Sequence, residues 1–170
     1  MFFIIYFTIP ALHIEGGYGE IGDCSDLFKK SERAYEKNGN ILHLGTLPAY
    51  VPEAIENLLY WVKNSELDML VKSCVFHYEF ELIHPFSDGN GRLGRLWHTL
   101  LLSLRNPLFA WLPIESIVHD NQDKYYASIN KSNADGSGTA FAEFMLEIIK
   151  TALEEALSAS TQAAIQDGRN

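Results

Sequence analysis

Four apolar stripes with helical spacing constrain the fold of this chain more than any other feature. Ile55, Leu58, Leu59 and Val62 recur on one helix face, and Leu67, Leu70, Val71, Cys74, Val75 and Tyr78 repeat the pattern after a short break. Leu93, Leu96, Trp97, Leu100, Leu101 and Leu104 form a third stripe. It is closed by Asn106-Pro107, because a residue ahead of proline is pushed out of helical geometry. The fourth runs from Phe141 through Phe144, Met145, Ile148, Ile149, Ala152 and Leu153 to Ala156. Such stripes are stable only when buried against one another, so the spacing predicts an all-α fold, mainly a helical bundle.

Weaker signals fill in the rest. Ser65 and Asp68, three apart, predict a capping box at the start of the second helix. Asp120 is expected to cap a helix reaching about Asn130, and Ala134 to Gly138 a loop ahead of the last helix. Asn38-Gly39 lies between Arg33-Ala34-Tyr35 and Ile41-Leu42-His43-Leu44, which predicts a small β-hairpin. The folded domain is therefore expected over 31–157, with an N-terminal segment, 1–30, that the pattern does not place and a frayed C-terminal tail, 158–170.

The chain has 170 residues, the size of one domain with its own core. Its 13 basic and 22 acidic residues give a net charge of −9, which repels a nucleic-acid backbone but leaves room for a nucleotide held by local contacts. Two cysteines, Cys24 and Cys74, make neither a disulfide framework nor a zinc knuckle, and are expected to be reduced thiols of a cytoplasmic protein. Met1 to Leu12 is nearly all apolar. Yet no basic residue precedes Lys29, Pro10 interrupts the run, and a bilayer span needs ~20 residues, so a buried or docked segment is expected and a membrane is not.

Between the second and third stripes lies His84-Pro85-Phe86-Ser87-Asp88-Gly89-Asn90-Gly91. Pro85 should hold His84 off the end of the preceding helix. Gly89 and Gly91 permit positive φ and bare backbone N–H groups, a nest that opens onto a helix N-terminus and attracts an anion. Arg92 and Arg95, one turn apart, can add charge-assisted bonds to a polyphosphate, or else pair with carboxylates such as Glu79 or Glu81. Asp88 fits beside an anion if a magnesium ion bridges the two. His84, whose ordinary pKa lies near neutrality, is then the natural proton acceptor.

The run His84 to Arg95, HPFSDGNGRLGR, resembles the Fic family motif HxFx(D/E)GNGRxxR at every specified position. At residue frequencies of ~5 %, eight fixed positions match by chance in a chain of this length on the order of 10⁻⁸ of the time. The resemblance takes in the hairpin, where the family has its flap, and Leu47 to Pro52, which resembles the family's lead into its next helix. It extends through Tyr125-Tyr126 to about Leu153.

The resemblance implies a mostly helical Fic fold that transfers AMP from ATP, with Mg²⁺ or Mn²⁺, to a Ser, Thr or Tyr hydroxyl of a target protein. His84 would deprotonate that hydroxyl, with Asn90 and Arg92 completing the catalytic group. Asp88 would hold the metal, and Gly89, Asn90 and Gly91 would cradle the α- and β-phosphates. Arg92 would bind phosphate, Arg95 would orient the γ-phosphate, and Phe86 would anchor the loop in the core. The flap residues Tyr35, Ile41, Leu42, His43 and Leu44 would dock the target segment as an extra strand. Gly91 stands where the related death-on-curing kinases carry lysine, and so favours AMP transfer over phosphate transfer. A nucleotide-binding module without turnover, a de-AMPylase and a phosphotransferase are the alternatives.

Many relatives carry an inhibitory pattern (S/T)xxxE(G/N). Ala11 to Gly16 approaches it and makes Glu15 the candidate inhibitory residue; Thr151 to Glu155 has the spacing, followed by Ala156. Inhibition by an antitoxin-like partner and a homo-oligomer stay open. His13, His43, His77, His98 and His119 read as structural or surface residues, Trp61, Trp97 and Trp111 as core, and Tyr125 or Tyr126 as a candidate adenine contact.

Overall fold

The computed structural model describes residues 34–37 and 40–167, so Met1 to Leu12, Glu15 and Cys24 lie outside the described residues. The fold is mostly helical. Strands β1 (Ala34–Lys37) and β2 (Asn40–Leu44) pair antiparallel with Glu36 opposite Ile41. A 3-10 turn, Pro48–Tyr50, leads into α1 (Val51–Asn64), followed by α2 (Met69–Ile83) and α3 (Asn90–Arg105). A second 3-10 turn, Pro107–Trp111, precedes α4 (Ile114–Asp120), α5 (Gln122–Asp135) and α6 (Thr139–Asp167). No helix among the described residues is long and apolar enough to cross a membrane.

The described residues group into two compact units, one made by those up to Leu67 with Glu79–Gly94, the other by Asp68–Tyr78 with those from Arg95 onward. In the first, the expected stripe of α1 is buried in full: Ile55, Leu58, Leu59 and Val62, joined by Val51. Pro52 sits in the first turn of α1, where its missing N–H costs nothing. The Thr46 N–H donates to the Ile83 carbonyl at 3.1 Å, tying the segment before α1 to the end of α2.

In the second unit, Asp68 and not Ser65 caps α2. The Asp68 carbonyl accepts the first helical bond from Lys72 at 3.0 Å, and its carboxylate accepts from the Leu70 N–H at 2.9 Å. That bond, with the Arg105 guanidinium 3.2 Å away, holds the Asp68 carboxyl below its usual range. Ser65 caps only a preceding turn, accepting from Leu67 at 3.3 Å.

The helices differ from the expected stripes in three places. α2 is buried on several faces, with Phe76, His77 and Phe80 essentially inaccessible, while Leu67 lies ahead of the helix and is 51 % exposed. On α3 the inward face is Asn90, Leu93, Trp97, His98, Leu101 and Leu102; Leu96 and Leu104 point outward. Trp111, read as core, is 86 % exposed at the end of a short 3-10 turn that turns Phe109 inward instead.

Asp120 ends α4 instead of opening a helix, and α5 runs on past Asn130 to Asp135, where Gly136 takes the left-handed φ of 61° that terminates it. α6 continues beyond Leu157 to Asp167 as an exposed helix, although the loss of apolar period there had suggested fraying.

Two histidines lie at the centre of the second unit. His77 and His98 are both inaccessible, with ring centroids 5.6 Å apart. His77 Nε2 lies 3.2 Å from the Tyr125 hydroxyl, and Phe141 packs edge-on against the same ring. Neither ring nitrogen of His98 makes a hydrogen bond of good geometry.

Burial holds His77 well below its ordinary pKa, helped by the nearby His98 and Arg95. Burial also lowers His98 to about 4, the Ser73 backbone offsetting part of the effect. Both rings are therefore neutral in the folded chain but titrate near 6.5 when unfolded, so the unfolded state takes up more protons below that pH. Stability is full above about pH 6.5 and falls as pH drops from there toward 4, by up to ~1.4 kcal/mol per pH unit for each histidine. Thermal unfolding measured between pH 7.5 and 4.5 should show this decline, and His98→Leu should flatten it.

Candidate active site

The segment from His84 to Gly89 joins α2 to α3. His84 ends α2: its N–H donates to the Phe80 carbonyl at 3.0 Å, and its own φ is +50°, a left-handed geometry that turns the chain sharply away from the helix axis. Proline follows, and Pro85 is essentially inaccessible. Pro85 is the more deeply buried of the pair, and Phe86 is half-buried.

Asn90 closes the loop. Its Oδ1 accepts from the Phe86 N–H at 2.9 Å and its Nδ2 donates to the Phe86 carbonyl at 2.6 Å, with the residue 2 % exposed. The Asn90 amide is therefore turned toward the Phe86 backbone.

Gly89 sets the start of α3. Its φ is +83°, and its carbonyl accepts the first helical bond from Leu93 at 2.9 Å. A side chain there would be strained by that φ, and its Cβ would meet the Arg92 guanidinium at 3.4 Å. The helix begins two residues earlier than Arg92, so Gly91 is helical and Gly89 alone carries the loop's left-handed glycine. Asn90, Gly91 and Arg92 then supply the first-turn N–H groups that have no intrahelical acceptor.

Charged groups flank these donors. Asp88 is 91 % exposed and lies 3.3 Å from Arg92 Nη2, itself 72 % exposed. Arg95, one turn on and 22 % exposed, pairs through Nε with Glu115 Oε1 at 3.3 Å. Neither partner is one of the carboxylates expected from sequence. Glu79 is half-buried, and desolvation lifts its carboxyl above the usual range. Glu115 carries no local sequence signal, lying 20 residues from Arg95 in a different helix.

Among the described residues no three His, Cys, Asp or Glu side chains are grouped to hold a metal. Asp88 fits instead a hard cation that takes one carboxylate and completes its shell with phosphate oxygens and water. Of the two adenine candidates, Tyr125 is buried against His77 and Tyr126 is 44 % exposed.

The sequence pattern of the Fic/DOC family matches residues 11–102, more than half of the chain. This chain belongs to the Fic/DOC family.

Among Fic relatives, a probable protein adenylyltransferase of Aquifex aeolicus (strain VF5) is 34 % identical over 86 residues, which are 50 % of this chain and 25 % of that one. The protein adenylyltransferase fic-1 of Caenorhabditis elegans is 32 % identical over 89 residues, 51 % of this chain and 16 % of that one. A solved Fic family protein from Desulfovibrio desulfuricans G20 superposes with a TM-score of 0.70 at 40 % identity, covering 76 % of this chain and 41 % of that one. The chain thus spans a quarter or less of the length of these curated relatives.

The Asn90 clasp gives this Fic loop a specific vulnerability. Asn90→Ala removes two partly buried bonds to the Phe86 backbone, one to its N–H and one to its C=O, and should cost roughly 2 kcal/mol. Asn90→Asp should cost more, because it sets a buried carboxylate against the Phe86 carbonyl. Denaturant unfolding gives the order, and hydrogen exchange at the Phe86 amide should accelerate in both variants.

Proposed function

We propose that this Fic chain transfers AMP from magnesium-bound ATP to a Ser, Thr or Tyr hydroxyl of a target protein in the cytoplasm. The observation that carries the reading is the junction of His84 with the start of α3: a histidine turned off one helix end, six residues before a helix whose first-turn N–H groups and Arg92 could receive an anion. Adenylyltransferase names among the relatives support the same reading.

In this reading the N–H groups of Asn90 and Gly91 and the Arg92 guanidinium bind the α- and β-phosphates, and Arg95 binds the γ-phosphate. Charge neutralisation and in-line placement are most of what attack at phosphorus requires. His84 takes the proton from the attacking hydroxyl, whose oxygen bonds to the α-phosphorus as the bridging P–O bond to the β-phosphate breaks. Pyrophosphate leaves. Asp88 would hold the magnesium ion, which supplies charge compensation on the phosphates.

Gly91 leaves no cationic side chain to favour the reversed nucleotide of the kinase branch. The hairpin, with Tyr35, Ile41, Leu42, His43 and Leu44, would receive the target as an added strand, giving register with little side-chain selectivity. Manganese would substitute for magnesium at Asp88.

The test uses ATP labelled at either the α- or the γ-phosphate, incubated with the chain and candidate targets, and followed by intact mass. Label from the α position, as an added AMP, is expected. His84→Ala should lower it about 10²-fold or more. Label from the γ position instead would make the protein a kinase, and tight binding with no His84-dependent product would make it a binding module.

A further inference from the structure

We propose that Glu115 is a positioning residue for Arg95: it holds the Nε side of the guanidinium so that the two terminal nitrogens are presented together to the outermost phosphate of the nucleotide. This rests on the proposed nucleotide reading and goes beyond it, because neither the motif nor any sequence signal singles out Glu115.

The geometry favours holding over blocking. The contact made by Glu115 Oε1 is to Arg95 Nε, at 3.3 Å, on one edge of the planar fork. A guanidinium held on its Nε edge keeps its terminal pair available for a bidentate anion contact. Arg95 has one donor edge toward Glu115 and one for a ligand, and its low exposure restricts the alternatives open to it.

Glu115 is itself well fixed. It is the second residue of α4, a short helix pinned by buried Ile114, Ile117 and Val118 and entered through Pro113. The Ile117 N–H donates to the Pro113 carbonyl at 3.1 Å, which orders the turn that carries Glu115. Its carboxylate is 69 % exposed, so it can be changed without opening the core.

The charge around Arg95 points the same way. His77, whose protonation Arg95 disfavours, is neutral, so it adds no competing charge beneath the guanidinium. Glu115 partly offsets the field of Arg95 without capping its terminal nitrogens, and a partly exposed pair of this kind is weak enough to adjust when a phosphate arrives.

The test compares ATP with ADP binding by calorimetry, in the wild type and in Glu115→Ala, Glu115→Gln and Arg95→Ala, with thermal unfolding to establish that each variant is folded. Glu115→Ala should weaken ATP binding about fivefold while leaving ADP binding within twofold. Glu115→Gln, whose amide oxygen still accepts from Nε, should recover most of the loss, and in the Arg95→Ala background Glu115→Ala should add nothing. Tighter ATP binding in Glu115→Ala would make Glu115 a competitor for Arg95 and overturn the proposal. Equal weakening of ATP and ADP would also overturn it, by making the effect merely structural. A wild type that binds neither nucleotide would instead overturn the nucleotide reading itself.

Discussion

The two hydrogen bonds between the Asn90 side chain and the Phe86 backbone fix where the site begins. They return the chain from the end of α2 to the start of α3 within a few residues, and both are partly buried, with Asn90 itself 2 % exposed. An amide that pairs with both the N–H and the C=O of one residue restrains the two peptide planes that flank it, so the Pro85–Phe86 and Phe86–Ser87 peptides are set together. From that clasp follow the left-handed turn at Gly89, the first-turn N–H groups of α3 and the spacing of Arg92 from Asp88.

The electrostatics follow from the same compactness. A chain of net charge −9 offers anions little long-range attraction, so any anion site must be local. Here each arginine of the motif already faces a carboxylate, Arg92 beside Asp88 and Arg95 beside Glu115. Such partly exposed pairs contribute at most ~1 kcal/mol, less than a charge-assisted bond to phosphate, so they order the guanidinium groups without committing them. The helix N-terminus adds a positive end that no pairing removes.

What was legible in the sequence is what depends on neighbours along the chain. The stripe of α1 is buried as spaced, and the contiguous run from His84 to Arg95 falls on the turn after α2, His84 to Gly89, and on the opening residues of α3. What was not legible depends on packing at a distance. α2 is buried on faces that carry Lys72, Ser73 and His77, polar residues that a stripe drawn from hydrophobicity leaves outside. Tyr125 reads like Tyr126 until His77 is found against its hydroxyl, and Glu115 reads like any surface glutamate. The Asn90 side chain faces inward, where it pairs with both the N–H and the C=O of Phe86, a contact that a motif matched letter by letter does not reveal.

The rotation of α3 connects that last difference to the site. A stripe of Leu93, Leu96, Trp97, Leu100, Leu101 and Leu104 would place Arg95 opposite the buried face. The observed face, running from Asn90 through Leu93, Trp97 and His98 to Leu102, is turned from it by roughly 75° at 100° per residue. That turn carries Asn90 inward to Phe86, brings Arg95 to the margin of the buried face, and leaves Arg92 on the far side. The side-chain exposures, 22 % for Arg95 and 72 % for Arg92, are those the rotation requires. The two arginines of the motif are therefore different instruments: one is held at the edge of the core by Glu115, and the other is free to follow whatever Asp88 follows.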